Sequence, residues 1–200
     1  MSPGLQSGSG SRYEAVVMGG SAGGFRAFVA ILAALPADFR LPLLLVLHLR
    51  PDDDDSFARH LAALTRRPVN EARDKERMQS GHVYVAPANY HLLLERGGTL
   101  ALSIDEKINW SRPSIDVLFE SAATALGGQT IAVICSGASV DGAAGIRAIK
   151  AAGGMTIAQH PATAEYPFMP RAAIDTGEID EILTVDEISR RLTELDSEAK

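Results

Sequence analysis

The chain has 200 residues, 46% of them hydrophobic, a formal net charge of −6 and one cysteine. That size suits a single soluble domain with a full core and leaves little room for a second. An acidic balance without a dense Lys/Arg run argues against nucleic-acid binding, one cysteine excludes an internal disulfide framework, and the longest apolar stretch, Leu41 to Leu47, is too short to span a bilayer. No charged segment followed by an apolar one opens the chain, so a cytoplasmic protein that is not embedded in a membrane is expected.

Residues 1–12 are rich in Ser and Gly and lack apolar periodicity, which predicts a disordered tail or linker remnant and places the folded domain at 13–200. From Tyr13 onward, strands alternate with helices. Predicted strands cover Ala15 to Met18, Leu43 to Leu47, His82 to Ala86, Thr130 to Cys135, Met155 to Gln159 and Glu181 to Thr184. Helical spacing runs from Phe25 to Leu35, where Pro36 closes it, and recurs over Ser56 to Leu64, Ile115 to Leu126 and Asp141 to Ala152, the last stopped by Gly153-Gly154. His91 to Glu95 and Leu100 to Ile104 flank Arg96-Gly97-Gly98-Thr99, a hairpin signal. The expected fold is α/β: a modified doubly wound, mainly parallel sheet with helices on both faces and an inserted antiparallel β-hairpin.

Between the first strand and the first helix lies Gly19-Gly20-Ser21-Ala22-Gly23-Gly24. Its first five residues fit the G-x-S-x-G elbow, in which a tight strand-to-helix turn forces a serine hydroxyl outward beside free helix N–H groups. Two other readings stand on the loop alone: a glycine-rich connection with a serine cap, and a dinucleotide turn, although Met18 occupies the first glycine position of G-x-G-x-x-G.

In a parallel sheet the loops after the strands converge on one edge, where ligands bind. His48 follows the second strand, where a dinucleotide fold would want an acidic residue, and Ser136-Gly137-Ala138-Ser139-Val140-Asp141 follows the fourth. Serine is a weak nucleophile until an imidazole takes its proton, and a carboxylate fixes the tautomer of that imidazole, so Ser21, His48 and Asp141 together form a complete set. Singly, His48 could be a strand-end histidine and Asp141 a cap for the helix that follows it. His160, after the fifth strand, offers a rival base in the order Ser, Asp, His, but an α/β-hydrolase elbow follows several earlier strands rather than the first. N–H groups near Ala22 and Ala138 are candidate oxyanion or substrate-binding donors. Cys135 reads as a small core residue. His60, His82 and His91 show no metal spacing, so no metal and no cofactor are expected, and the acidic run Asp52 to Asp55 reads as a solvated helix entrance.

Seven ordered motifs then carry a resemblance: Gly19 to Gly24, Val46-Leu47-His48, Ser56-Phe57-Ala58-Arg59, Val83 to Ala88, Arg112 to Phe119, Asp141-Gly142-Ala143-Ala144-Gly145 and Met169-Pro170-Arg171-Ala172-Ala173. From about Tyr13 to about Leu192 the chain resembles the catalytic domain of the CheB chemotaxis protein-glutamate methylesterases. The resemblance implies hydrolysis of glutamyl methyl esters on the methylated cytoplasmic segment of chemoreceptors, with Ser21, His48 and Asp141 as the triad. Where the family often has Gly-Met-Gly, this chain has Gly137-Ala138-Ser139, a difference that bears on rate and substrate choice. The family's usual amino-terminal receiver domain is not expected before Tyr13, so control by phosphorylation within this chain is not expected, and a separate regulatory protein is a candidate partner. A non-enzymatic docking module of the same fold is the alternative function.

Overall fold

A computed structural model describes residues 12–48 and 56–197. Most of the expected tail and the acidic run Asp52 to Asp55 lie outside the described residues. Nine strands appear among the described residues. Seven form one parallel sheet: β1 (Ala15–Gly20), β2 (Leu43–Leu47), β3 (Val69–Glu71), β4 (Val83–Val85), β7 (Thr130–Ile134), β8 (Met155–Gln159) and β9 (Glu181–Leu183). Their order is β3-β4-β2-β1-β7-β8-β9, so the chain winds outward in opposite directions from the β1–β7 pair. The other two, β5 (His91–Glu95) and β6 (Thr99–Ser103), make a separate antiparallel hairpin. The fold class expected from the sequence is the one observed.

Alternate residues of the central strands feed two cores, because side chains in a strand point to opposite faces. Val16, Met18, Leu43 and Leu45 face α1 (Gly24–Ala34), α2 (Ser56–Thr65) and α6 (Val185–Ser197), which contribute Phe28, Ile31, Leu61, Ile188 and Leu192. Val17, Leu44, Val46, Ala132 and Ile134 face α3 (Ile115–Leu126), α4 (Ala143–Ala151), α5 (Phe168–Ile174) and the hairpin, which supply Ile115, Phe119, Ile146, Met169 and Leu92. β1 and β2 are buried at every position, which explains their unbroken apolar runs.

Several boundaries differ from the sequence reading. Thr99 pairs with Glu95 and belongs to β6, leaving Arg96-Gly97-Gly98 as the turn, with both glycines at positive φ. Asp141 and Gly142 precede α4 instead of opening it, since Gly142 sits at φ 99. His82 and Ala86 flank β4, and Cys135 lies one residue past β7. Strand β3 and helices α5 and α6 were not anticipated. β3 is three residues long and α5 seven, too short for a periodic signal, whereas Ile188, Leu192 and Leu195 in α6 do show helical spacing and are buried. Among the described residues no helix is long and apolar enough to cross a membrane.

Candidate active site

The loops after β1, β2 and β7 meet at the carboxyl edge of the sheet, where the winding direction reverses. Gly20 of β1 pairs with Leu47 of β2, so Ser21 and His48 are the next step along the two strands. The His48 N–H donates to the Gly20 carbonyl at 3.2 Å. By strand alternation both residues continue the face that carries Val17 and Val46, the side occupied by α3 and α4.

The turn after β1 is tightly specified. Ser21 N–H donates to the Ser136 carbonyl at 3.0 Å, and Gly24 N–H to the Ser21 carbonyl at 2.8 Å. Ser136 Oγ donates to the Ala22 carbonyl at 2.8 Å and accepts from the Tyr166 N–H at 2.9 Å, while the Ser136 N–H donates to Oε1 of buried Gln159. Gly23 has φ 74, and a Cβ there would stand 2.6 Å from Ser136 Oγ and 2.8 Å from Glu165 Cβ. Only glycine meets both the backbone angle and the space.

His48 Nε2 lies 2.8 Å from Asp141 Oδ2, and the Asp141 side chain is fully buried. Five donors converge on that carboxylate. Oδ2 accepts from His48 and from the Ile115 N–H at 2.7 Å; Oδ1 accepts from Ser114 Oγ at 2.8 Å, the Asp116 N–H at 3.1 Å and Asn109 Nδ2 at 3.2 Å. Burial pushes the carboxyl up, but hydrogen bonds from His48, the Ile115 N–H and Ser114 outweigh it and bring it down to about 2. An ionised Asp141 fixes the imidazole proton on Nε2 and leaves Nδ1 as an acceptor, toward which Ser111 Oγ donates at 3.4 Å.

Asp141 caps a helix, though not the one that follows it. Its carboxylate takes the free N–H groups at the start of α3, while Asp116, in the first turn of α3, accepts from the Gly142 N–H at 2.9 Å and the Gly145 N–H at 2.7 Å at the start of α4. Each helix therefore supplies the carboxylate that satisfies the other, and both anions gain from the positive helix ends. Burial raises the Asp116 carboxyl to about 6, with the Asp141 charge adding to the rise and the Gly145 and Gly142 N–H groups opposing it. Asn109 Nδ2 bridges the pair, 2.8 Å from Asp116 Oδ2.

The structure thus joins His48 to Asp141 and sets half-buried Ser21 on the neighbouring strand end, with no hydrogen bond between Ser21 Oγ and His48 among the described residues. The Ala22 and Ala138 N–H groups likewise find no acceptor among the described residues. Ser139 accepts the Asp141 N–H on its Oγ at 3.1 Å and so braces the loop. His160 is exposed and accepts the Ala162 N–H on Nδ1; among the described residues it makes no hydrogen bond or ion pair with a carboxylate, Glu187 acting on it only through its charge. His91 ties β5 to the start of α3, accepting the Ser114 N–H at 3.2 Å. Cys135 is wholly buried, which pushes its thiol up to about 12 and suits the core role expected of it. Among the described residues no group of three His, Cys, Asp or Glu could hold a metal ion.

Asn109, Ser111, Ser114 and Asp116 were not singled out in the sequence. Ser114 and Asp116 bear an N-terminal helix signature within Arg112 to Phe119, but that pattern gives no hint that the partner helix lies some 25 residues away.

The model of the CheB methylesterase family matches residues 16–192. The chain belongs to the CheB methylesterase family. A relative from Leptospira interrogans is 45% identical over 184 residues, covering 92% of this chain and 95% of that protein. A protein-glutamate methylesterase/protein-glutamine glutaminase of Bordetella pertussis is 43% identical over 192 residues, 94% of this chain and 55% of its own length. The crystal structure of the Thermotoga maritima CheB methylesterase catalytic domain superposes with a TM-score of 0.87 at 35% identity, covering 92% of this chain and 98% of that one. The fold and the family agree with the resemblance drawn from the seven motifs.

Proposed function

We propose that this CheB-family chain is a protein-glutamate methylesterase of the cytoplasm, formed by a single domain over residues 13–200, that hydrolyses glutamyl methyl esters on the cytoplasmic segment of chemoreceptors to glutamate and methanol. The observation that carries the reading is the buried His48–Asp141 pair at 2.8 Å, set at the sheet edge one strand from Ser21.

In this reading Ser21 Oγ attacks the ester carbonyl. His48 Nδ1, the nitrogen not engaged by Asp141, accepts the Ser21 proton and returns it to departing methoxide, releasing methanol. Ser111 gives up its long contact to Nδ1 as Ser21 turns toward it. Asp141, ionised at neutral pH, holds the tautomer and stabilises the imidazolium. The N–H groups of Ala22 and Ala138 receive the negative charge that develops on the carbonyl oxygen, the role in which a prepositioned donor contributes most. Water, activated by His48, then attacks the acyl-enzyme and frees the glutamate.

Incubation with receptor membranes carrying radiolabelled methyl groups tests the proposal. Release of labelled methanol by the unmodified chain is expected. A chain that binds those membranes and releases none would instead support the docking module.

A further inference from the structure

The turn next to the dyad carries an anomaly that the catalytic scheme does not use. Ile108 and Ser111 exchange both backbone hydrogen bonds, at 3.2 and 2.8 Å, and so close a two-residue turn. Its central residues are both left-handed, Asn109 at φ 49 and Trp110 at φ 64. Such a turn favours Asn-Gly, and a bulky side chain at positive φ is an outlier. Here tryptophan stands where glycine fits best, and its side chain gains nothing from the fold in return, since Trp110 is 95% exposed.

The turn is also anchored on the site. On one side of Trp110, Asn109 Nδ2 bridges Asp116 and Asp141; on the other, Ser111 Oγ reaches His48 Nδ1. The turn is thereby fixed next to the dyad and presents the indole to solvent there. Ile104 and Ile108 are exposed on the same connection, beside the charged Asp105, Glu106 and Lys107, and Val140 is exposed one residue before Asp141, so the rim of the dyad offers apolar side chains among polar ones. A methyl ester is too small to occupy the dyad and also cover this rim. A substrate that covers it has to extend past the reacting group, as a polypeptide does.

We infer that Trp110 is a specificity-determining residue whose indole packs on an apolar stretch of the polypeptide carrying the ester and holds that chain over the dyad. Strain held at a site and a solvated aromatic anchor are both features of recognition surfaces. The inference rests on the methylesterase reading, and its test separates the two.

Trp110→Gly suits the left-handed turn, so removal of the indole is not confounded by loss of fold, and its melting temperature is expected to be no lower than that of the unmodified chain. The readout is the ratio of kcat/KM for methanol release from methylated receptor to kcat/KM for p-nitrophenyl acetate. Trp110→Gly is expected to lower this ratio about tenfold or more, mainly through KM, and Trp110→Phe to restore most of it. Because Trp110 is the only tryptophan in the chain, its emission reports this residue alone. In Ser21→Ala, addition of a soluble methylated receptor fragment without tryptophan should shift the emission to the blue and protect it from acrylamide quenching. An unchanged ratio overturns the inference, as does an indole that stays fully quenchable in the complex. Should the unmodified chain release no methanol, the esterase reading fails while the fluorescence measurement still decides whether Trp110 engages the receptor.

Discussion

Asp141→Asn removes one charge from a carboxylate that serves the candidate dyad and the α3–α4 contact together. The amide nitrogen has to replace either Oδ1, where Ser114, Asp116 and Asn109 donate, or Oδ2, where Ile115 and His48 donate. In either orientation a donor faces donors in a fully buried site. Breaking a buried, hydrogen-bonded pair in this way costs roughly 3–5 kcal/mol, and at roughly 2–4 °C per kcal/mol for a domain of this size the melting temperature should fall by about 6–20 °C. Part of that loss depends on charge. A carboxyl held at about 2 instead of 3.8 contributes about 2 kcal/mol of stability, present above its unfolded value and lost as pH falls through its folded one. The gap between the two proteins should therefore narrow as pH falls from about 5 to about 2. Circular-dichroism melts across that range measure it. A neutral-pH difference under about 3 °C, or a gap that widens on acidification, would refute the five-donor cradle.

Asp116 titrates in the opposite sense. Its folded value, about 6, lies above the ordinary 3.8, so its contribution is present below the lower value and lost as pH rises through the upper one; Asp116→Asn should gain on the unmodified chain over that window, and a pH-independent difference in melting temperature would contradict it. Gly23→Ala places a Cβ 2.6 Å from Ser136 Oγ at φ 74 and should cost about 1–3 kcal/mol, read by urea denaturation. Cys135, buried and pushed up to about 12, should react with Ellman's reagent only in denaturant; rapid labelling of the native chain would show that β7 opens.

The central strands were legible because burial on both faces leaves unbroken apolar runs, and the elbow because glycine marks a tight turn where strand gives way to helix. Strand ends then brought Ser21, His48 and Asp141 to one edge without knowledge of the strand order. The cross-capping of α3 and α4 was not legible. A carboxylate near a helix start suggests a cap for its own helix, and only the packing of the two helix starts side by side reveals that Asp141 and Asp116 have exchanged targets. Nor was the Asn109-Trp110 turn, because tryptophan disguises a position that normally announces itself with glycine. Ser139 shows the converse: where the resemblance leads one to expect glycine, its hydroxyl fixes the loop by taking the Asp141 N–H.

The most direct test of the account is methanol release from methylated receptor by Ser21→Ala beside the unmodified chain. The serine mechanism predicts a fall of about 10³-fold or more with an unchanged melting temperature. Equal turnover by the two proteins would remove Ser21 from the chemistry and, with it, the mechanism proposed for this edge of the sheet.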